Sequence, residues 1–145
     1  MLFISLLLFL ASCGNPTIGS EGFDMNGSWD FTSPVRAKFS DIQNTDSYMA
    51  AAIKLTYSDD FPFENIYLKA VITCKSDTLL NNIKSYDLQN DLGQWIGNND
   101  GRNYTIKLNL MDSIDANTTD IHVKLEQYSR EDKLTGIQTV KILIE

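Results

Sequence analysis

The feature that most constrains this chain is a repeated alternation of apolar and polar residues with a period of two. Val35, Ala37 and Phe39 alternate with Arg36 and Lys38, and Ile53 and Leu55 oppose Lys54 and Thr56. A third run places Ile66, Leu68, Ala70, Ile72 and Cys74 on one side. Tyr104, Ile106, Leu108 and Leu110 follow the same rule, as do Ile121, Val123 and Leu125, and finally Val140, Ile142 and Ile144. Successive side chains of a strand point to opposite faces, so each run reads as a strand with one face in a core and one in water. No segment carries a 3.6-residue stripe; residues 76–84 have room for a helical turn at most. Short alternating strands separated by polar turns predict an all-β, antiparallel β-sandwich, Ig-like or jelly-roll-like.

The punctuation between runs sets the expected connections. Asp59-Asp60-Phe61-Pro62 ends the run over 48–57, because proline lacks an N–H and restrains its predecessor. A hairpin back into 65–75 is expected there. That third run is the richest in β-branched and aromatic residues and is placed centrally in its sheet. Residues 78–88 make a weaker strand. Residues 87–101, with Gly93, Gly97, Gly101 and many Asn and Asp, read as a long loop, and 112–120 and 129–133 as polar turns. One domain is expected over 27–145, preceded by a flexible tether over 13–26 built of Gly, Asn, Pro, Thr and Ser.

Ahead of the tether, Met1 to Leu10 is almost wholly apolar and leads into Leu10-Ala11-Ser12-Cys13. A run of this length is about half of the roughly 20 residues that cross a bilayer. It matches a secretory signal ending at a small-residue cleavage site, here residues 1–12. Leu-Ala-Ser-Cys resembles the bacterial lipobox, in which the thiol receives diacylglyceryl, the chain is cut before the cysteine, and the new amine is acylated, typically with palmitate. Several acyl chains on Cys13 make a lasting anchor where one chain is only marginally retentive. No Lys or Arg precedes Arg36, so the usual positive n-region is missing.

Charge and cysteine content narrow the function classes. Twelve Lys and Arg against nineteen Asp and Glu give a net charge of −7, with the cations spread singly along the sequence. Nucleic-acid binding, which needs a clustered basic patch, is not expected. With Cys13 lipidated only Cys74 remains, so the fold is expected to hold without a disulfide, with Cys74 as a small buried hydrophobe.

Trp29, Pro34, Phe39, Tyr48 and the segment Phe61-Pro62-Phe63-Glu64-Asn65-Ile66-Tyr67-Leu68 together resemble the gliding-motility lipoprotein family called GldH. In that family a Tyr-Pro-Tyr-x-Asn-Leu element opens a strand. Asp77-Thr78-Leu79, Gly93-Gln94-Trp95-Ile96-Gly97, Leu125-Glu126-Gln127, Arg130, Leu134 and Gly136-Ile137 match further elements in order. Phe61 and Phe63 stand where tyrosines are usual, and Tyr128-Ser129 precede Arg130 where a methionine is common. The resemblance implies an outer-membrane lipoprotein of Bacteroidota tied to gliding motility and the associated secretion apparatus, with no established catalytic residue and no cofactor.

The residues' own chemistry agrees with a non-enzymatic role. The one histidine, His122, falls on a solvent-side strand position, and no Gly-x-Ser-x-Gly elbow occurs. One His and one thiol on separate strands fall short of a zinc site. Asp59, Asp60 and Glu64, or Asp87 and Asp91, are carboxylates of the type glycosidases use, yet all sit in turns. Asn98-Asn99-Asp100 has oxygen ligands for calcium, but an Asn-Asp-Gly turn is the favoured reading. Trp95, between Gly93 and Gly97, either folds back as a plug over the sandwich end or projects as a contact; Phe61, Phe63 and Tyr67 are the other aromatic contact candidates. Thr78 and Ser113 lie in Asp-(Ser/Thr)-apolar triplets resembling O-glycan acceptors of exported Bacteroidota proteins. The expected function is an outer-membrane lipoprotein, periplasm-facing, that contacts envelope proteins of the motility or secretion machinery. The alternative is a carbohydrate-binding sandwich using Trp95 as a stacking platform.

Overall fold

The structure, a computed structural model, describes residues 17–43 and 46–145; Cys13 and the signal segment lie outside them. The strands are β1 (Gly19–Asp24), β2 (Ser28–Asp30), β3 (Val35–Phe39), β4 (Tyr48–Ser58), β5 (Asn65–Cys74), β6 (Asp77–Asp87), β7 (Asn98–Asn99), β8 (Asn103–Asp115), β9 (Ile121–Gln127), β10 (Lys133–Thr135) and β11 (Ile137–Ile144). They form a five-stranded sheet in the order β1-β11-β4-β8-β7, a four-stranded sheet in the order β3-β9-β5-β6, and a small β2–β10 pair. Every pairing is antiparallel.

The pairings are nested: β1 with β11, β3 with β9, β4 with β8, and β5 with β6. A long folded ribbon whose tip is the β5–β6 turn has been wound so that successive pairs alternate between sheets. That is the jelly-roll arrangement, and it decides between the two sandwich topologies expected. The alternating positions behave as the period requires. Ile53, Leu55 and Tyr57 of β4 pack against Ile66, Leu68, Ala70 and Ile72 of β5, Val123 and Leu125 of β9, and Val140 and Ile142 of β11 in one buried cluster. Trp29 of β2 is fully buried and its Nε1 donates to Ser33 O at 2.9 Å, so its one polar atom is satisfied.

Five local expectations are corrected. Residues 59–64 do not close a hairpin; β4 and β5 belong to different sheets, and the segment crosses between them because Phe61 is drawn into the core. The stretch expected as tether contains β1, because an edge strand needs only main-chain pairing to β11 and a few inward anchors, here Ile18 and Phe23. Residues 77–87 form one continuous edge strand, not a weak strand with a helical turn, since the ladder to β5 outweighs a polar composition. β8 likewise runs on to Asp115, into the stretch expected as turn, with Ile114 packed inward opposite Met49. Cys74, expected buried, is a half-buried free thiol at the end of β5.

Gly136 joins β10 to β11 at φ +83°, and a Cβ placed there would come within 2.5 Å of Phe61 N. Gly136→Ala therefore combines left-handed strain with a backbone clash, and the crossover must shift to admit it. The expected loss is about 2 kcal/mol or more, read as a lowered urea midpoint; an unchanged midpoint would show that the crossover is not packed as described.

Candidate functional site

The two ends of the sandwich differ. At the end where β4 and β9 finish and β5 begins, three irregular segments converge: the crossover 59–64, the loop 88–97 and the turn 128–132. Tyr57 is their common support. It is fully buried, and its hydroxyl donates to Leu88 O at 3.1 Å and makes a short bond to Ile96 O, tying both ends of the 88–97 loop to β4. Burial, with a smaller contribution from neighbouring Tyr104 and against the Ile96 bond, pushes its pKa up to about 12.

Around Tyr57 the aromatic rings form one cluster. Trp95 meets Tyr57 edge-on at 5.6 Å between centroids, Phe61 meets Trp95 at 6.5 Å, and Tyr104 stacks on Tyr57 at 5.7 Å. The 88–97 loop reaches this pose because Asn90 Oδ1 accepts the N–H groups of Leu92 and Gln94, both at 3.0 Å. Gly97, at φ +106°, passes so close to β8 that a Cβ would lie 2.6 Å from Thr105 O. Trp95 is thus the plug of the two readings, partly buried over the sandwich end. Phe61 is likewise 2% exposed. Neither is a free contact surface, because each fills space the strand ends leave open.

What remains exposed is a cleft of about 590 Å³ beside this cluster. Phe63 and Tyr67, both singled out from the sequence, line it at 39% and 46% exposure. Tyr128, 46% exposed, and Arg130 come from the facing turn; Leu134 and Ile66 contribute to the lining. Tyr128 N donates to Tyr67 O at 2.8 Å, which joins the two residues' main chains at the cleft that both line. In the sequence Tyr128 stood out only as a departure from the family pattern, just ahead of the polar turn 129–133, and not as a contact candidate. Its signal was the tyrosine itself, one position past an apolar strand.

The turn is held by Gln127, a fully buried polar side chain. Its Oε1 accepts Ser129 N at 2.9 Å and Ser129 Oγ at 2.7 Å, and its Nε2 donates to Glu131 O at 3.0 Å. Ser129 Oγ in turn accepts Glu131 N at 3.1 Å. A side chain that satisfies three turn groups from inside the core fixes the turn that carries Tyr128 and Arg130.

The carboxylates fall elsewhere. Glu64, Asp87 and Asp91 line a second, polar hollow of about 410 Å³ with Gln89 and Asn90, while Asp59 and Asp60 sit outside it. Asp100 is a turn acceptor: the N–H groups of Asn103 and Arg102, at 2.7 and 2.9 Å, hold its carboxyl below the usual range. No group of three metal-ligating side chains occurs among the described residues. His122 is exposed on the outer face of the four-stranded sheet, and Thr78 and Ser113 are exposed on β6 and β8.

The fold and site together define an all-β jelly-roll domain with an aromatic cleft at one end. The family model described as GldH lipoprotein matches residues 20–144, nearly the whole domain, so the chain belongs to the GldH lipoprotein family. No curated protein matches the chain at a significant level. Among solved structures it is similar to a carbohydrate-binding module from a family 9 glycoside hydrolase, Cel9A, of Ruminococcus flavefaciens FD-1, with 12% identity and TM-score 0.39 over 87% of this chain and 98% of that one. It is also similar to part of dimeric latent PorU from Porphyromonas gingivalis, with 8% identity and TM-score 0.37 over 94% of this chain and 13% of that one. Likenesses at this level place no function on the chain.

Two outcomes follow. Stability falls as pH rises from about 10 through about 12, because unfolded Tyr57 ionises first while the folded state keeps its proton; a Tyr57→Phe chain, monitored by circular dichroism, loses that increment of alkaline sensitivity. Gln127→Leu leaves Glu131 O and Ser129 N–H without their buried partner. It is expected to cost about 1–3 kcal/mol in thermal or urea unfolding and to speed amide exchange selectively at 128–132.

Proposed function

We propose that this chain is a non-catalytic lipoprotein, anchored in the outer membrane through Cys13 and facing the periplasm, that binds a protein of the gliding-motility or associated secretion machinery through the Phe63–Tyr67–Tyr128–Arg130 cleft. The observation that carries the reading is the position of the cleft. Gly19 pairs with Ile144 and Asp24 with Thr139, so the chain enters the fold at the end opposite the cleft. β5, ten residues long, separates the two ends by about 30 Å. An anchor at Cys13 therefore leaves the cleft clear of the anchor's attachment point.

The cleft has the composition of a protein contact. Exposed aromatic rings beside one arginine, on a turn fixed from within, supply large rigid contact area at low entropic cost. Membership of the GldH lipoprotein family supports the anchor and the machinery. Asn15, Pro16 and Thr17 after Cys13 lack the acidic cluster that resembles a surface-export signal, which supports a periplasmic orientation. A second reading, carbohydrate binding, rests on Tyr67 and Tyr128 as adjacent stacking faces, since Trp95 is packed inward.

The test is photo-crosslinking in the native host from positions 63 and 128, compared with position 105 on the opposite sheet. Protein adducts from 63 and 128, lost in Cys13→Ala cells, are expected. Adducts equal at all three positions would refute the cleft as the docking site. Polysaccharide recovered in place of protein would establish the second reading.

A further inference from the structure

The cations that lie singly in the sequence are gathered by strand register. On the outer face of the four-stranded sheet Arg36 stands opposite Lys124, and Lys38 opposite His122. Lys124 and His122 are in turn opposite Val71 and Thr73 of β5, and Lys69 is opposite Glu126. Across β3, β9 and β5 this face therefore carries Arg36, Lys38, Lys69 and Lys124 against one carboxylate, Glu126, which is paired with Lys124 at 2.8 Å. Asp77 and Asp87 lie only at the two ends of the edge strand β6. On a chain of net charge −7 such a face is a marked local excess of positive charge. Ile83, 47% exposed, lies on the same side and adds apolar surface to it.

The same face adjoins the point where the anchor enters. The Gly19 backbone lies against the Phe39 ring, which a Cβ on Gly19 would approach to 2.8 Å, and Phe39 follows Lys38 directly. Cys13 is six residues before Gly19, so even a fully extended chain spans no more than about 20 Å. The entry end itself is rimmed by acids: Asp41 after β3, Asp115 ending β8, Asp120 before β9, and Asp77. Standing on that end would press these carboxylates towards the membrane, whereas lying on the sheet face presents cations.

We propose that the outer face of the four-stranded sheet rests on the anionic phospholipid headgroups of the leaflet that holds Cys13, which orients the domain and keeps the cleft at its far end open along the membrane. The proposal rests on the anchored reading above. Basic residues close to an anionic surface are attracted within a Debye length. Lys69 and Lys124 are partly buried, and long cationic side chains on such positions keep their charged ends in water, within reach of a facing headgroup layer.

Lysine acylation with mass spectrometry tests it, since the opposite sheet carries its own control row of Lys54, Lys107 and Lys141, of which Lys107 is paired with Glu145 and the other two serve as the readout. The lipidated protein is reconstituted in vesicles of phosphatidylcholine alone, or of phosphatidylcholine with phosphatidylglycerol. Flotation with neutral vesicles tests the anchor separately; a protein that does not float sinks the anchored reading and the pose with it. With flotation intact, a several-fold loss of labelling at Lys38, Lys69 and Lys124 is expected in anionic vesicles only. It should be reversed near 1 M salt, where the Debye length is about 3 Å, while Lys54 and Lys141 stay unchanged. Equal labelling of both rows would overturn the pose while leaving the anchor standing. Arg36→Gln with Lys38→Gln, both exposed on an edge strand, should abolish the protection at Lys69 and Lys124 without affecting flotation. Protection by a soluble acidic polysaccharide such as alginate, and not by anionic vesicles, would overturn it in favour of a glycan.

Discussion

Tyr57 is the residue on which the functional end of this domain depends. Its ring is the floor against which Phe61, Trp95 and Tyr104 pack, and its hydroxyl is shared between the carbonyls of Leu88 and Ile96. A buried hydroxyl needs a partner, and the 88–97 loop has carbonyls turned inward that need a donor. The Tyr57 hydroxyl meets these carbonyls, and the open sandwich end is closed by a loop rather than by a strand. Phe63 then takes its position from Phe61, with ring centroids 5.9 Å apart, and the cleft inherits its wall from the core.

The nested pairing gives the molecule two chemically distinct ends. At one, the main chain enters at Gly19 beside Phe39 and the loops are acidic; at the other, aromatic residues converge and one buried glutamine fixes a turn. Strand length separates the two, so in the proposed function attachment and recognition do not compete for the same surface. The sheet faces between them carry lysines and arginines, an arrangement that follows from period-two alternation in strands that are half buried. A polar position on such a strand is held clear of the core, and long cationic side chains cover its apolar flanks while keeping their charge in water.

Much of this was legible in the sequence where the information is local. The alternation at Val35–Phe39, at Ile53 and Leu55, at Ile66–Ile72 and at Ile121–Leu125 placed strands and their inward faces, since pleat and side-chain direction follow from a few consecutive residues. Pro62 marked the end of β4 for the same reason. What Phe61 would do was not local: a hairpin and a crossover between sheets look alike until the core that receives the ring exists. β1 and β6 were obscured because edge strands are stabilised by the neighbour's ladder and need little apolar content of their own. The cleft was half visible, in Phe63 and Tyr67, while Tyr128 required knowing that β9 lies beside β5.

The sequence by itself determined that this chain forms a two-layer β structure, which residues face its core, and that Cys13 stands in a lipobox-like setting; these depend on residues adjacent along the chain. Only the tertiary structure decided that the sandwich is a jelly roll, that Trp95 is a plug, and that Arg36, Lys38, Lys69 and Lys124 share one face. The reason is register. Pairings between strands tens of residues apart are chosen by the packing of the whole core, and a slip of one residue would turn every side chain of a strand to the other face.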